Sequence, residues 1–109
     1  MAYNEGLVQI WRDALVGTPN LSEKKMFGGI AILLNGNMLC GVHKDGAMIR
    51  VGKDNDALAK ELPGVKAMMF TKKPMAGWLD IEPHTMENAM TRTRLLAMAL
   101  NFVQDLPPK

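Results

Sequence analysis

Cys40 and His43 form a C-x-x-H pair, a spacing that could hold a metal ion or set a thiol beside an imidazole base. The pair falls where hairpin signals place a strand, and strand residues three apart point to opposite faces. Zinc needs about four converging donors, whereas the chain has a single cysteine and two histidines. The expectation is therefore no metal and no cofactor, with Cys40 a small buried hydrophobe and His43 a half-exposed strand residue. A cysteine nucleophile would need His84 to approach from elsewhere in the fold. Asp80 and Glu82, alternate residues of one strand, read as an acid pair or as a solvated face. Gly28-Gly29 lacks the spacing of a phosphate loop and leads into a strand rather than a helix, which points to a bulge or a close backbone approach. No nucleophile, base and oxyanion donor converge, so the chain is expected not to be an enzyme. A deep pocket joining His43 or His84 to a polar partner would reverse that expectation.

The segment from Gly64 to Leu79 carries Lys66, Lys72 and Lys73 and no acid, interleaved with Met68, Met69, Phe70, Met75 and Trp78. Basic residues among aromatics can track a nucleic-acid backbone and stack bases, so these three lysines are the candidate nucleic-acid contacts. Lysines also guard exposed edge strands. Three lysines neutralise only a few phosphates, and the net charge is only +2, so direct DNA binding is expected to be weak.

The elements that position these residues follow from periodicity. The chain of 109 residues, 48 % hydrophobic and 22 % charged, fits one globular domain spanning 1–109. Leu7, Ile10, Trp11, Ala14 and Leu15 mark one helical face, closed by Gly17-Thr18-Pro19. A strand over 26–34 leads through Asn35-Gly36, a hairpin signal, to a second over 38–44. Asp45-Gly46 then turns into a third over 47–51. This register places Ala31, Leu33, Met38, Cys40, Val42, Ala47, Ile49 and Val51 on an apolar face. Ile30, Ile32, Leu39, Gly41, His43, Met48 and Arg50 fall on a mixed one. Asp54 caps a short helix ended by Pro63-Gly64, strands follow over 65–71 and 78–82 around Lys73-Pro74, and Thr85 caps a last helix over 86–105. The fold class is α+β: two layers, an antiparallel five-stranded sheet with helices, in the order α-β-β-β-α-β-β-α. No apolar run approaches the ~20 residues that span a bilayer, and the single cysteine fits a reducing, cytoplasmic setting.

Met26-Phe27-Gly28-Gly29 before a strand, then Asn35-Gly36-Asn37-Met38-Leu39, Ile49-Arg50-Val51-Gly52, and Pro74-Met75-Ala76-Gly77-Trp78, in this order and spacing, resemble the N-terminal domain of the TfoX/Sxy family. The family motif residues are thus Met26, Phe27, Gly28, Gly29, Pro74, Met75, Gly77 and Trp78. The resemblance implies a secretion-chaperone-like two-layer domain. It implies a role as a regulator linked to natural competence, acting with the cyclic-AMP receptor protein at promoters. It also implies a stand-alone form without the family's C-terminal helical domain. The family's N-terminal domain supplies no catalytic residues to carry over.

The last helix is apolar almost all round, which normally means burial on two sides. The chain is therefore expected to form a homodimer, besides meeting a protein partner from the transcription machinery. The expected seam is Leu95, Met98 and Phe102 of that helix, or Ile30, Ile32 and Leu39 of the mixed sheet face.

Overall fold

The computed structural model describes residues 4–26, 28–44, 46–70 and 73–108, with the side chains of Met26, Met69, Phe70, Lys73, Pro74 and Met75 outside the description. Helix α1 (Glu5–Ala14) opens on Asn4, whose side chain accepts from the Gly6 N–H, satisfying one of the donors a helix start leaves unpaired. Four strands follow: β1 (Leu21–Met26), β2 (Gly29–Leu34), β3 (Asn37–His43) and β4 (Gly46–Arg50). A 3₁₀ turn (Lys53–Asn55) leads into α2 (Asp56–Lys60), then β5 (Val65–Phe70) and β6 (Lys73–Ile81). A second 3₁₀ turn (Pro83–Glu87) precedes α3 (Ala89–Val103). The sheet is six-stranded and antiparallel, in the order β1-β2-β3-β4-β6-β5. The α3 helix packs on β3 and β4, α1 on β3, and α2 on β5 and β6. The result is the expected two-layer α+β class.

The strand that periodicity does not reveal is β1. Its sequence, Leu-Ser-Glu-Lys-Lys-Met, has no apolar alternation because it lies at the sheet edge, with Ser22, Glu23, Lys24 and Lys25 all exposed. Charged edge strands resist pairing with other chains. Glu23 is held by Arg12 of α1 at 2.7 Å, and that guanidinium keeps its carboxyl below the usual range.

The two faces of β2 are the reverse of the expectation. The Asn35-Gly36 turn forms, with both residues in the left-handed region (φ 54° and 83°), and Leu33 pairs with Met38 as expected. The register then shifts, so Ile32 pairs with Cys40 and Ile30 with Val42. Leu39 is the extra residue, and such a bulge inverts the face of everything beyond it. Ile30, Ile32, Leu34, Leu39, Cys40, Val42, Ala47, Ile49 and Val51 therefore all enter the core under the helices. Lys44 and Asp45, not Asp45 and Gly46, separate the paired His43 and Gly46. Lys73 and Pro74 lie within β6 rather than in a turn. Gly29 lies against the Val42 backbone so closely that a Cβ would overlap the Val42 carbonyl, the close approach expected of this glycine pair.

The last helix starts later than expected. Asn88, not Thr85, is its cap, accepting from the Thr91 N–H at 3.2 Å. Its buried side is Thr91, Leu95, Leu96, Ala99 and Val103. Ala97 and Met90, both apolar, face outward. The outward residues are mostly small or polar, so the helix needs only its own domain along most of its length.

Candidate functional site

Cys40 is fully buried, and burial pushes its thiol well above the ordinary range. Its side chain is part of the core under the helices, whereas His43 bonds Asp80 on β6 at 2.8 Å. The C-x-x-H pair is split as the strand geometry requires. A thiol reagent should label the native protein slowly and the denatured protein fast; rapid native labelling would contradict this placement. The His43–Asp80 pair is a half-buried imidazole–carboxylate dyad, and Asp80 faces Met48 on one side and Lys66 on the other. Glu82 instead lies 3.5 Å from His84, whose side chain is 77 % exposed. His84 edges a wide groove with Asn4, Gly6, Leu7, Ile10, Pro83 and Glu87, none of them a serine, threonine or cysteine. Among the described residues, no group of three or more His, Cys, Asp or Glu side chains could hold a metal ion, and no helix is long and apolar enough to cross a membrane.

Of the candidate nucleic-acid contacts, Lys66 is exposed but stands directly across from Asp80, which offsets its charge. Lys72 and the Lys73 side chain lie outside the described residues. Of the expected seam, Leu95 and Leu39 are 0 % exposed and Ile30 and Ile32 are buried. All four are consumed by the chain's own core, Leu39, Ile30 and Ile32 because of the β3 bulge, and Leu95 because the helix faces the sheet along that side. Only Met98 and Phe102 reach the surface in part.

Two surface features remain, and the sequence signalled neither as a site. The first is where the motif segments meet. On β6 the residues 75–78 stand against a single β5 residue, Met68, because the pairing jumps from Ala67–Leu79 to Met69–Pro74. Within this bulge Gly77 adopts φ +86°. Its carbonyl accepts from the Val51 N–H at 2.8 Å and the Gly52 N–H at 3.3 Å. Its own N–H donates to the Asp56 carboxylate at 3.0 Å. Asp56 also pairs with Lys60 at 2.8 Å, and these two partners, Lys60 first, hold its carboxyl below the ordinary value. The segment after β4 is thereby fixed to β6. Arg50 lies over two aromatic rings, its guanidinium carbon 5.1 Å from the centre of Trp78 and 5.4 Å from that of Phe102. A cavity of about 150 Å³ opens there, lined by Arg50, Gly52, Lys53, Ala76, Gly77, Trp78 and Phe102. Phe27 lies outside the described residues, and Met26, Pro74 and Met75 are described only in their backbone.

The second feature is a cleft of about 590 Å³ between α2 and α3, lined by Leu58, Glu61, Leu62, Arg94, Ala97 and Met98. Leu58 is 56 % exposed at its rim. Its position follows from α2 being one short turn: Ala59 enters the core, and the next residue round the helix has nothing to cover it.

A bulged antiparallel sheet packed with helices, a buried thiol and a cleft between two helices define a small α+β domain. The family model of the TfoX N-terminal domain matches residues 13–103, and the chain belongs to that family. Comparison with curated proteins and with solved structures gave no match.

Proposed function

We propose that this domain is a non-catalytic interaction module of a regulatory kind, and that it works as a homodimer joined across the α2–α3 cleft. The observation that carries the reading is the cleft itself. Leu58 and Met98 offer apolar surface, and the charges among the lining residues are one acid, Glu61, and one base, Arg94. In a two-fold contact the same patch meets itself, so every contact between two different residues occurs twice. Glu61 of one copy then faces Arg94 of the other, two opposite-charge pairs around an apolar centre. The surface is thus complementary to itself, which favours a second copy as its occupant. The reading as a non-catalytic module is supported by the separation of Cys40 from both histidines. The link to transcription, through the competence role of the TfoX/Sxy family, is supported by the family match, and the cytoplasm is the setting it requires.

Light scattering across a micromolar concentration series tests the dimer. The native chain should give twice the monomer mass, and Leu58→Asp should give the monomer. Glu61→Arg alone, or Arg94→Glu alone, should weaken association by juxtaposing like charges. The double exchange should restore it. A monomer mass for the native chain, or failure of the double exchange to recover what each single change loses, overturns the two-fold arrangement.

A further inference from the structure

We infer that Arg50 and Lys53 form a binding site for a phosphoryl group, a dianionic phosphate or phosphate monoester, in the cavity beside Trp78 and Phe102. This inference is independent of the self-association proposed above.

The argument begins with how Arg50 is held. A guanidinium is flat, with five N–H donors around its edge and none on its faces. The guanidinium carbon lies over both the Trp78 and the Phe102 ring, where the attraction is between the positive charge and the ring electrons. A ring face accepts no conventional hydrogen bond, so these contacts leave the N–H donors available. Among the described residues Arg50 has no hydrogen bond or ion pair, its interactions being these two ring contacts. The side chain is nonetheless half-buried. A half-buried guanidinium, already ordered by two rings and with its fork of donors open, is suited to bidentate binding of an oxyanion.

The charge of the cavity selects among oxyanions. Lys53 is a second cation among the lining residues, and that lining holds no carboxylate. Asp56 is bound to the same segment, but its charge is met by Lys60 and by the Gly77 N–H. Asp54 is exposed and does not line the cavity. Two cations without a counter-charge match a dianion better than a carboxylate. The volume of about 150 Å³ is sufficient for a phosphoryl group, which a larger molecule could present inward. The rings also explain why the sequence alone gave no signal. Arg50, Lys53 and Trp78 lie on two segments far apart in the chain, and Phe102 comes from a third.

The two tryptophan indole N–H resonances in a proton–nitrogen spectrum provide the test, the Trp78 signal being assigned by its loss in Trp78→Phe. Inorganic phosphate should shift the Trp78 signal saturably and leave that of Trp11 in place. Acetate at matched ionic strength should bind at least about ten-fold more weakly. Arg50→Gln and Lys53→Gln should each weaken phosphate by about ten-fold or more. Arg50→Lys should also weaken it, since an ammonium lacks the planar fork. Lys25→Gln, on the far edge of the sheet, should not. An unmoved Trp11 indole signal, buried against Gly41, shows that each variant is folded. Glycerol 3-phosphate, run in parallel, identifies the source: tighter binding than phosphate assigns the site to an esterified group, weaker binding to the free ion. Absence of a saturable Trp78 shift up to about 50 mM of either compound, equal binding of acetate, or undiminished binding by Arg50→Gln overturns the assignment.

Discussion

Gly77→Ala is expected to lower the stability of the domain by on the order of 3 kcal/mol and to disperse the Arg50 cluster with it. Two costs combine. The residue sits at φ +86°, a region where a Cβ crowds the following carbonyl at a cost of about 1–2 kcal/mol. The new methyl would also lie 2.7 Å from the Gly52 carbonyl carbon and 2.9 Å from the Lys53 nitrogen. Those are backbone atoms, and they cannot turn aside as a side chain would. Gly17→Ala separates the two costs. Gly17 has a similar φ, +90°, but nothing lies within 4 Å of the added methyl, so its loss should be only about 1 kcal/mol. Urea denaturation of both variants gives the comparison. Equal losses would show that the approach of β6 to the segment after β4 is looser than described. In Gly77→Ala the Trp78 indole signal should also move, because the glycine backbone holds Val51, Gly52 and Asp56 in place beside that ring.

The same glycine shows what the sequence does and does not reveal. Pro74-Met75-Ala76-Gly77-Trp78 is recognisable as a motif, yet nothing in its residue types says that it bonds to the 51–56 segment. That knowledge needs the bulge of β6, which no periodicity records. The α+β class and nearly all the elements were legible, because apolar alternation and hairpin turns such as Asn35-Gly36 act locally. The faces of β2 were not. Ile30, Ala31, Ile32, Leu33 and Leu34 are apolar without interruption, so the run carries no period to say which side faces inward. The register had to be counted from the turn, and one bulged residue, Leu39, inverts the count.

Four residues of the expected dimer surface, Leu95, Ile30, Ile32 and Leu39, are taken into the chain's own core, while Met98 and Phe102 stay partly exposed. With Ile30, Ile32 and Leu39 in the core, those three side chains are not available to a partner. With Leu95 against the sheet, α3 contributes only its flank, where Met98 lines the cleft together with Leu58. Leu58 lies on a helix too short to show an amphipathic period, so its exposure is decided by tertiary placement alone. Arg50 is similar. Alternation marks it as an outward strand residue, and only the packing of the α3 C-terminal turn brings the Phe102 ring to it.

Trp11→Ala is expected to remove about 4 kcal/mol of stability from the cavity it leaves, close to the whole stability of a small domain at the low end of ~5–15 kcal/mol. Trp11 is 0 % exposed and is the bulkiest of the fully buried side chains. It fastens α1 to the sheet in two ways. Its ring fills the core, and its indole N–H donates to the Gly41 carbonyl at 2.9 Å in a buried bond. A buried carbonyl deprived of its partner costs about 1–3 kcal/mol. Trp11→Phe retains much of the ring while removing the donor, so it should lose about 1–3 kcal/mol, and the difference between the two variants measures the packing of the ring. Both are read from urea denaturation at one fixed protein concentration, because self-association makes apparent stability depend on concentration. Val16→Ala serves as the control: Val16 is 80 % exposed just beyond the same helix and should change stability by less than about 0.5 kcal/mol. A loss of under about 1.5 kcal/mol for Trp11→Ala would mean that α1 is not anchored to β3 through this ring, and the placement of the first helix would have to be revised.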